Sequence, residues 1–187
     1  MGVVTAGPDA ELFARFVAIA GPAASAGPAQ TVNAVKAIPY GRPAERTPAG
    51  VLGDWRGTCS TKHALLVRLL SARWPGLCPR VVHRVYRAER GRVRRRHGPR
   101  VAAAVPEGGL VDVHRYVVIE VSGEAVVLDV TFPGDQDWDG RSPMAPACGP
   151  GTDVPAGVDP DADKRALEAA HCDPAVREPF IAALTGN

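Results

Sequence analysis

The chain has 187 residues, 45% of them hydrophobic, and a formal net charge of +2. That length suits one domain with a sizeable core, and the near-neutral charge demands neither nucleic acid nor an anionic membrane as partner. No apolar run approaches the roughly 20 residues of a membrane helix, and the first residues lack the basic-then-apolar pattern of a secretory leader, so a cytoplasmic protein is expected.

Along the chain, Leu12, Phe13, Phe16, Val17 and Ala20 recur at helical spacing, which predicts a helix over 9–20 with Asp9 as its N-cap after Pro8. A second helix is expected over about 29–37, stopped by the turn cluster Pro39-Tyr40-Gly41-Arg42-Pro43. The fifteen residues that follow read as loop. From Cys59 to Arg73, the face formed by Ala64, Leu65, Leu66, Leu69 and Leu70 predicts the strongest helix of the chain.

Strands are expected at 80–87, 113–121 and 125–131, the last two joined as a hairpin through Ser122-Gly123-Glu124. The basic 90–109 stretch between strands reads as a mobile insertion. Segment 134–160 is rich in Pro, Gly and Asp, and a final helix over 161–184 is broken near Pro174. The whole reads as a single domain over 1–187 with its core in about 29–133.

Four cysteines, Cys59, Cys78, Cys148 and Cys172, are too few and too scattered for a disulfide framework and are expected to be free thiols. Of the 22 basic residues 19 are Arg, which together with abundant Ala, Gly and Pro points to a GC-rich coding sequence of bacterial kind and weakens any functional reading of Arg content. The distribution is nevertheless uneven. Eight arginines and one acid, Glu89, lie between Arg84 and Arg100. Within that run Arg94, Arg95 and Arg96 are the candidates for an anionic substrate or partner surface, against the reading of a solvated loop. Tyr86 is the only aromatic there, which argues against single-stranded nucleic acid.

Cys59 opens its helix after Gly57 and Thr58, where the dipole and unpaired backbone N–H groups favour a thiolate. A working nucleophile also needs a base, and the base needs a third group to hold its tautomer. His114 and Asp129, fifteen residues apart on the two strands of the expected hairpin, supply such a pair. Strands lie roughly 4.8 Å apart, and a turn at 122–124 pairs positions summing to about 243 to 246, which sets Asp129 opposite the region 114–117. His63, one turn after Cys59, is an alternative partner or a core histidine hydrogen-bonded within the fold. Lys62 either raises the positive potential near the thiolate or is solvated, and the second reading is preferred. Cys59-x3-His63 with Cys78-x4-His83 could supply four zinc ligands, but the spacing is poor and no Cys-x-x-Cys is present, so no metal and no cofactor is expected.

Trp55-Arg56-Gly57-Thr58-Cys59-Ser60-Thr61-Lys62-His63-Ala64, then His114-Arg115-Tyr116-Val117-Val118-Ile119-Glu120, then Leu128-Asp129-Val130-Thr131 resembles the transglutaminase-like core of the papain-like superfamily. The resemblance covers about 29–133. It implies an α+β fold with N-terminal helices and the Cys helix packed on an antiparallel β-sheet, and a C-terminal helix covering an edge or face. It also implies acyl transfer through a thioester on Cys59, with His114 as base and Asp129 as its orienting group. The substrate would be an amide or thioester of a small molecule or peptide, carrier-bound forms included. The oxyanion would be held by the Cys59 backbone N–H and a second donor, for which Trp55, Asn33 and Tyr40 are candidates; Thr58 stands beside the nucleophile. More distantly, Asp129-Val130-Thr131-Phe132-Pro133-Gly134 resembles the triad end of the arylamine N-acetyltransferases. A non-catalytic binding module using the 84–100 run is the reading from a different class.

Overall fold

A computed structural model describes residues 7–186. The described residues form an α+β protein with seven α-helices and four strands: α1 (Pro8–Ala20), α2 (Pro28–Ala37), α3 (Pro48–Asp54), α4 (Cys59–Arg73), β1 (Arg80–Ala88), α5 (Arg90–Ala103), β2 (Leu110–Val121), β3 (Glu124–Leu128), β4 (Gly151–Pro155), α6 (Pro160–His171) and α7 (Pro174–Thr185). The strand order is β3-β2-β1-β4. The chain forms two compact units, one of the residues up to Val81 with Tyr116–Ala145, the other of Val82–Arg115 with the residues from Pro146 on. No helix among the described residues is long and apolar enough to cross a membrane.

In the first unit, α4 is packed by α1, α2 and α3. Its four leucines, Leu65, Leu66, Leu69 and Leu70, are fully buried in one cluster with Val117, Ile119, Val126 and Leu128 of the β2–β3 hairpin. Burying each such side chain stabilises by about 1.5–3 kcal/mol, so this helix is fixed on the strands through its apolar face. The hairpin turns on Ser122 (φ 54°) and Gly123 (φ 83°), a two-residue loop with both central residues at positive φ, the geometry that matches strand twist. Glu124 therefore belongs to the strand and pairs with Val121. Each pair sums to 245, as Val117 with Leu128 does, within the range expected from sequence.

Four local expectations are corrected here. The N-cap of α1 is Gly7, and Asp9 sits in the first turn instead, because Pro8 already occupies N1; its carboxylate accepts from Arg68 Nε at 2.5 Å. The stretch read as loop contains α3, started by Thr47, whose hydroxyl accepts from Gly50 N–H at 3.0 Å, with Pro48 at N1. A side chain at Gly50 would place Cβ 2.1 Å from the Glu45 carbonyl oxygen, so only glycine fits that approach. β3 ends at Leu128, which leaves Asp129 one residue past the strand. Lys62 is fully buried and not solvated.

In the second unit, the expected insertion is the helix α5, two helical pieces joined at Gly98 (φ 83°) with Pro99 starting the second. It is held by Val93, Val101 and Ala102, which are buried with Phe180 and Ile181 of α7. A further strand, β4, lies unannounced in the Pro- and Gly-rich segment and pairs antiparallel with β1, from Val82 with Pro155 to Tyr86 with Gly151. The C-terminal break divides α6 from α7, whose N-cap Asp173 accepts from Ala175 N–H.

Candidate functional site

Cys59 is the first residue of α4 and is half-buried. The turn is locked by Thr58 and Thr61, whose hydroxyl accepts the Thr58 N–H at 3.0 Å. The Cys59 Sγ lies 3.9 Å from Ser60 Oγ. Gly57, two residues before the thiol, is bridged to Tyr40: its N–H donates to Pro39 O at 3.0 Å, and Gly41 N–H donates to Gly57 O at 3.2 Å. Tyr40 stacks on Phe132 at 4.8 Å between ring centres. Trp55 closes α3 in the left-handed region (φ 48°), so backbone geometry at both ends of the 55–58 segment delivers the chain to Cys59.

His63, on the next turn, is fully buried, and both ring nitrogens are engaged with backbone. Nδ1 lies 2.6 Å from the Cys59 carbonyl oxygen, and Nε2 accepts the Val130 N–H at 3.0 Å. A carbonyl can only accept and an N–H can only donate, so these partners fix the neutral Nδ1–H tautomer. Asp129 Oδ1 is 3.6 Å from His63 Nε2, beyond hydrogen-bond range. That oxygen instead accepts from Thr131 Oγ1 at 2.6 Å and Thr131 N–H at 3.0 Å. The backbone N–H groups of Val130 and Thr131 are thus spent on side chains, which accounts for the strand ending at Leu128.

Lys62 lies beneath this turn. Its Nζ donates to the carbonyls of Ile38 at 2.7 Å, Lys36 at 2.9 Å and Thr131 at 3.0 Å, so all three ammonium hydrogens have backbone acceptors. Burial brings its pKa down to about 7, against the pull of Asp129. Lys36 in turn donates to Pro133 O and Asp135 O and pairs with Asp137 at 2.8 Å. Asn33 spends both ends of its amide on Trp138, Nδ2 to its carbonyl at 3.0 Å and Oδ1 from its N–H at 2.8 Å.

The first unit therefore brings Cys59, Thr58, Trp55, Tyr40, His63 and Asp129 into one connected neighbourhood, and places Asn33 on the Trp138 loop. Lys62, read from sequence as solvated, and Thr131, not singled out there, also belong to that neighbourhood; their signal was a lysine on the inward face of an apolar helix and a threonine two residues after an aspartate. His114 belongs to the second unit, where it is buried on β2 with the ring of Tyr86 edge-on at 6.4 Å. Arg94, Arg95 and Arg96 are exposed on α5. None of the four cysteines is disulfide-bonded, and among the described residues no group of three or more His, Cys, Asp and Glu is arranged to hold a metal ion. Compared with protein-family models, curated proteins and solved structures, the chain has no match.

Proposed function

We propose that this protein is a cysteine-nucleophile acyl-transfer enzyme of transglutaminase-like, papain-like type. Cys59 attacks the carbonyl of an amide or thioester, His114 accepts the thiol proton and returns it to the leaving group, and Asp129 orients the imidazole. The observation that carries this reading is the place of Cys59, half-buried at the first position of α4, where the positive end of the helix dipole favours the thiolate.

Two features support it. His63 has both nitrogens committed to backbone groups and is not free to take a proton from the thiol, so the imidazole of the pair must come from another histidine. His114 is the one that the Cys, His, Asp order of the resemblance assigns. The carboxylate of Asp129 is buried and oriented by both donors of Thr131, as a group that must hold another side chain requires. For the oxyanion, the Cys59 N–H is one donor and Tyr40 and Trp55 are the candidates for the second, whereas the amide of Asn33 is occupied. The acyl substrate is a small molecule or peptide, and Arg94, Arg95 and Arg96 offer positive charge to an anionic carrier or substrate group.

The test is p-nitrophenyl acetate with the full chain. Attack of the thiolate forms the Cys59–acetyl bond, breaks the ester C–O bond and releases p-nitrophenolate. A burst of phenolate with one acetyl group on the Cys59 peptide supports the reading, and a burst unchanged in Cys59→Ser rules it out.

A further inference from the structure

We infer that Tyr86, braced by Asp112 and Arg177, is a positioning residue for the His114 imidazole; this rests on the reading of His114 as the base. Asp112 and His114 are two apart on β2 and so face the same side of the strand. Tyr86 reaches both positions. Its hydroxyl donates to Asp112 Oδ2 at 3.2 Å, and its ring meets the His114 ring at 85° with centres 6.4 Å apart, inside the range of an edge-to-face aromatic pair.

The brace continues away from the imidazole. Arg177 Nε donates to Asp112 Oδ1 at 2.6 Å, and its Nη2 donates to Glu168 Oε1 at 2.7 Å. Both oxygens of Asp112 are therefore held, one by Tyr86 and one by Arg177, in a site that leaves Asp112 only 6% exposed. Taking a carboxylate, a guanidinium and a phenol out of water costs free energy that an apolar set of the same shape would not. What the polar set supplies and an apolar set does not is a fixed ring: the tethered hydroxyl prevents Tyr86 from sliding, and the ring edge then limits the tilt of His114. A base must keep its nitrogen within about 10–20° of the productive direction, so that restraint acts on the rate of proton transfer.

The experiment is a double-mutant cycle on the iodoacetamide rate of Cys59 at pH 7 in the full chain. Tyr86→Leu removes ring and hydroxyl, and Tyr86→Phe removes only the tether and keeps the packing. We expect His114→Ala to slow alkylation, Tyr86→Leu to slow it about tenfold and Tyr86→Phe about threefold, with neither Tyr86 change having any further effect in the His114→Ala background. Equal fold losses in both backgrounds, or no loss in either single variant, would overturn the positioning role while leaving His114 as base. An unchanged rate in His114→Ala would remove the base itself and this inference with it.

Discussion

His63 donates from Nδ1 to the carbonyl oxygen of Cys59 across 2.6 Å, joining the residue read as nucleophile to the core one helical turn away. Its other nitrogen takes the Val130 N–H, so one imidazole ties the start of α4 to the chain leaving β3. His63→Ala leaves a buried backbone donor without its partner and opens a cavity, and is expected to cost about 3 kcal/mol of stability. Urea denaturation of the variant measures this; a loss below about 1 kcal/mol would show that the tie carries little.

Lys62→Met should also destabilise, by about 3 kcal/mol or more, because three buried carbonyls lose their donor at once. The pH dependence is separate. The lysine has a folded pKa of about 7 and an unfolded one of about 10.5. Between these values the unfolded chain holds the extra proton, so the cost of the buried charge is full below pH 7 and is relieved as the pH rises. Wild-type stability should climb relative to Lys62→Met by about 1 kcal/mol per pH unit from pH 7 to 9. Parallel urea midpoints for the two proteins over that range would contradict it.

Acid acts through a different group. His83 in the second unit is fully buried, its Nε2 3.0 Å from Pro160 O and its Nδ1 with no protein partner. Burial, then Arg115 and Lys164, lower its pKa to about 4. A histidine kept neutral by the fold contributes nothing to pH dependence above its unfolded pKa of about 6.5, and stability is lost as the pH falls from there toward 4. Thermal unfolding at pH 7 and pH 4.5 should show a loss of about 2–3 kcal/mol that is absent from His83→Gln. An equal acid loss in the variant would assign it to other groups.

How far the sequence announced this arrangement depends on which signal each segment carried. The leucines of α4 repeat at helical spacing, and Ser122-Gly123 suits a two-residue turn, so the helix under Cys59 and the hairpin register were legible. α5 was hidden because its many arginines mask an apolar stripe of only Val93, Val101 and Ala102. α3 was hidden by Gly50 and Gly53, although Thr47-Pro48 is a helix start. β4 is a short and mostly exposed strand between glycines and prolines, with no alternating pattern to read. At the site, the pairing of Asp129 with Thr131, and the burial of Lys62, depend on which backbone groups the ladder leaves over, and hydropathy does not encode that.

Asp129→Asn keeps the shape but removes the charge, and Thr131→Val removes the 2.6 Å bond that orients it. Asp129→Asn is expected to slow Cys59 alkylation at pH 7 by at least tenfold, and Thr131→Val by a few-fold, if Asp129 orients the imidazole as proposed. Rates equal to wild type in both, with intact folding by circular dichroism, would take Asp129 out of the mechanism.

The most direct test of the central claim is the pH dependence of iodoacetamide alkylation at each cysteine, read by peptide mass mapping in the wild type and in His114→Ala. Cys172 gives an internal reference, since burial pushes its thiol up to about 11. The account predicts that Cys59 alkylates well below the ordinary thiol pKa of about 8.5, ahead of Cys78, Cys148 and Cys172, and that His114→Ala abolishes this lead. A Cys59 that titrates like exposed Cys78, or whose profile is the same without His114, would contradict it.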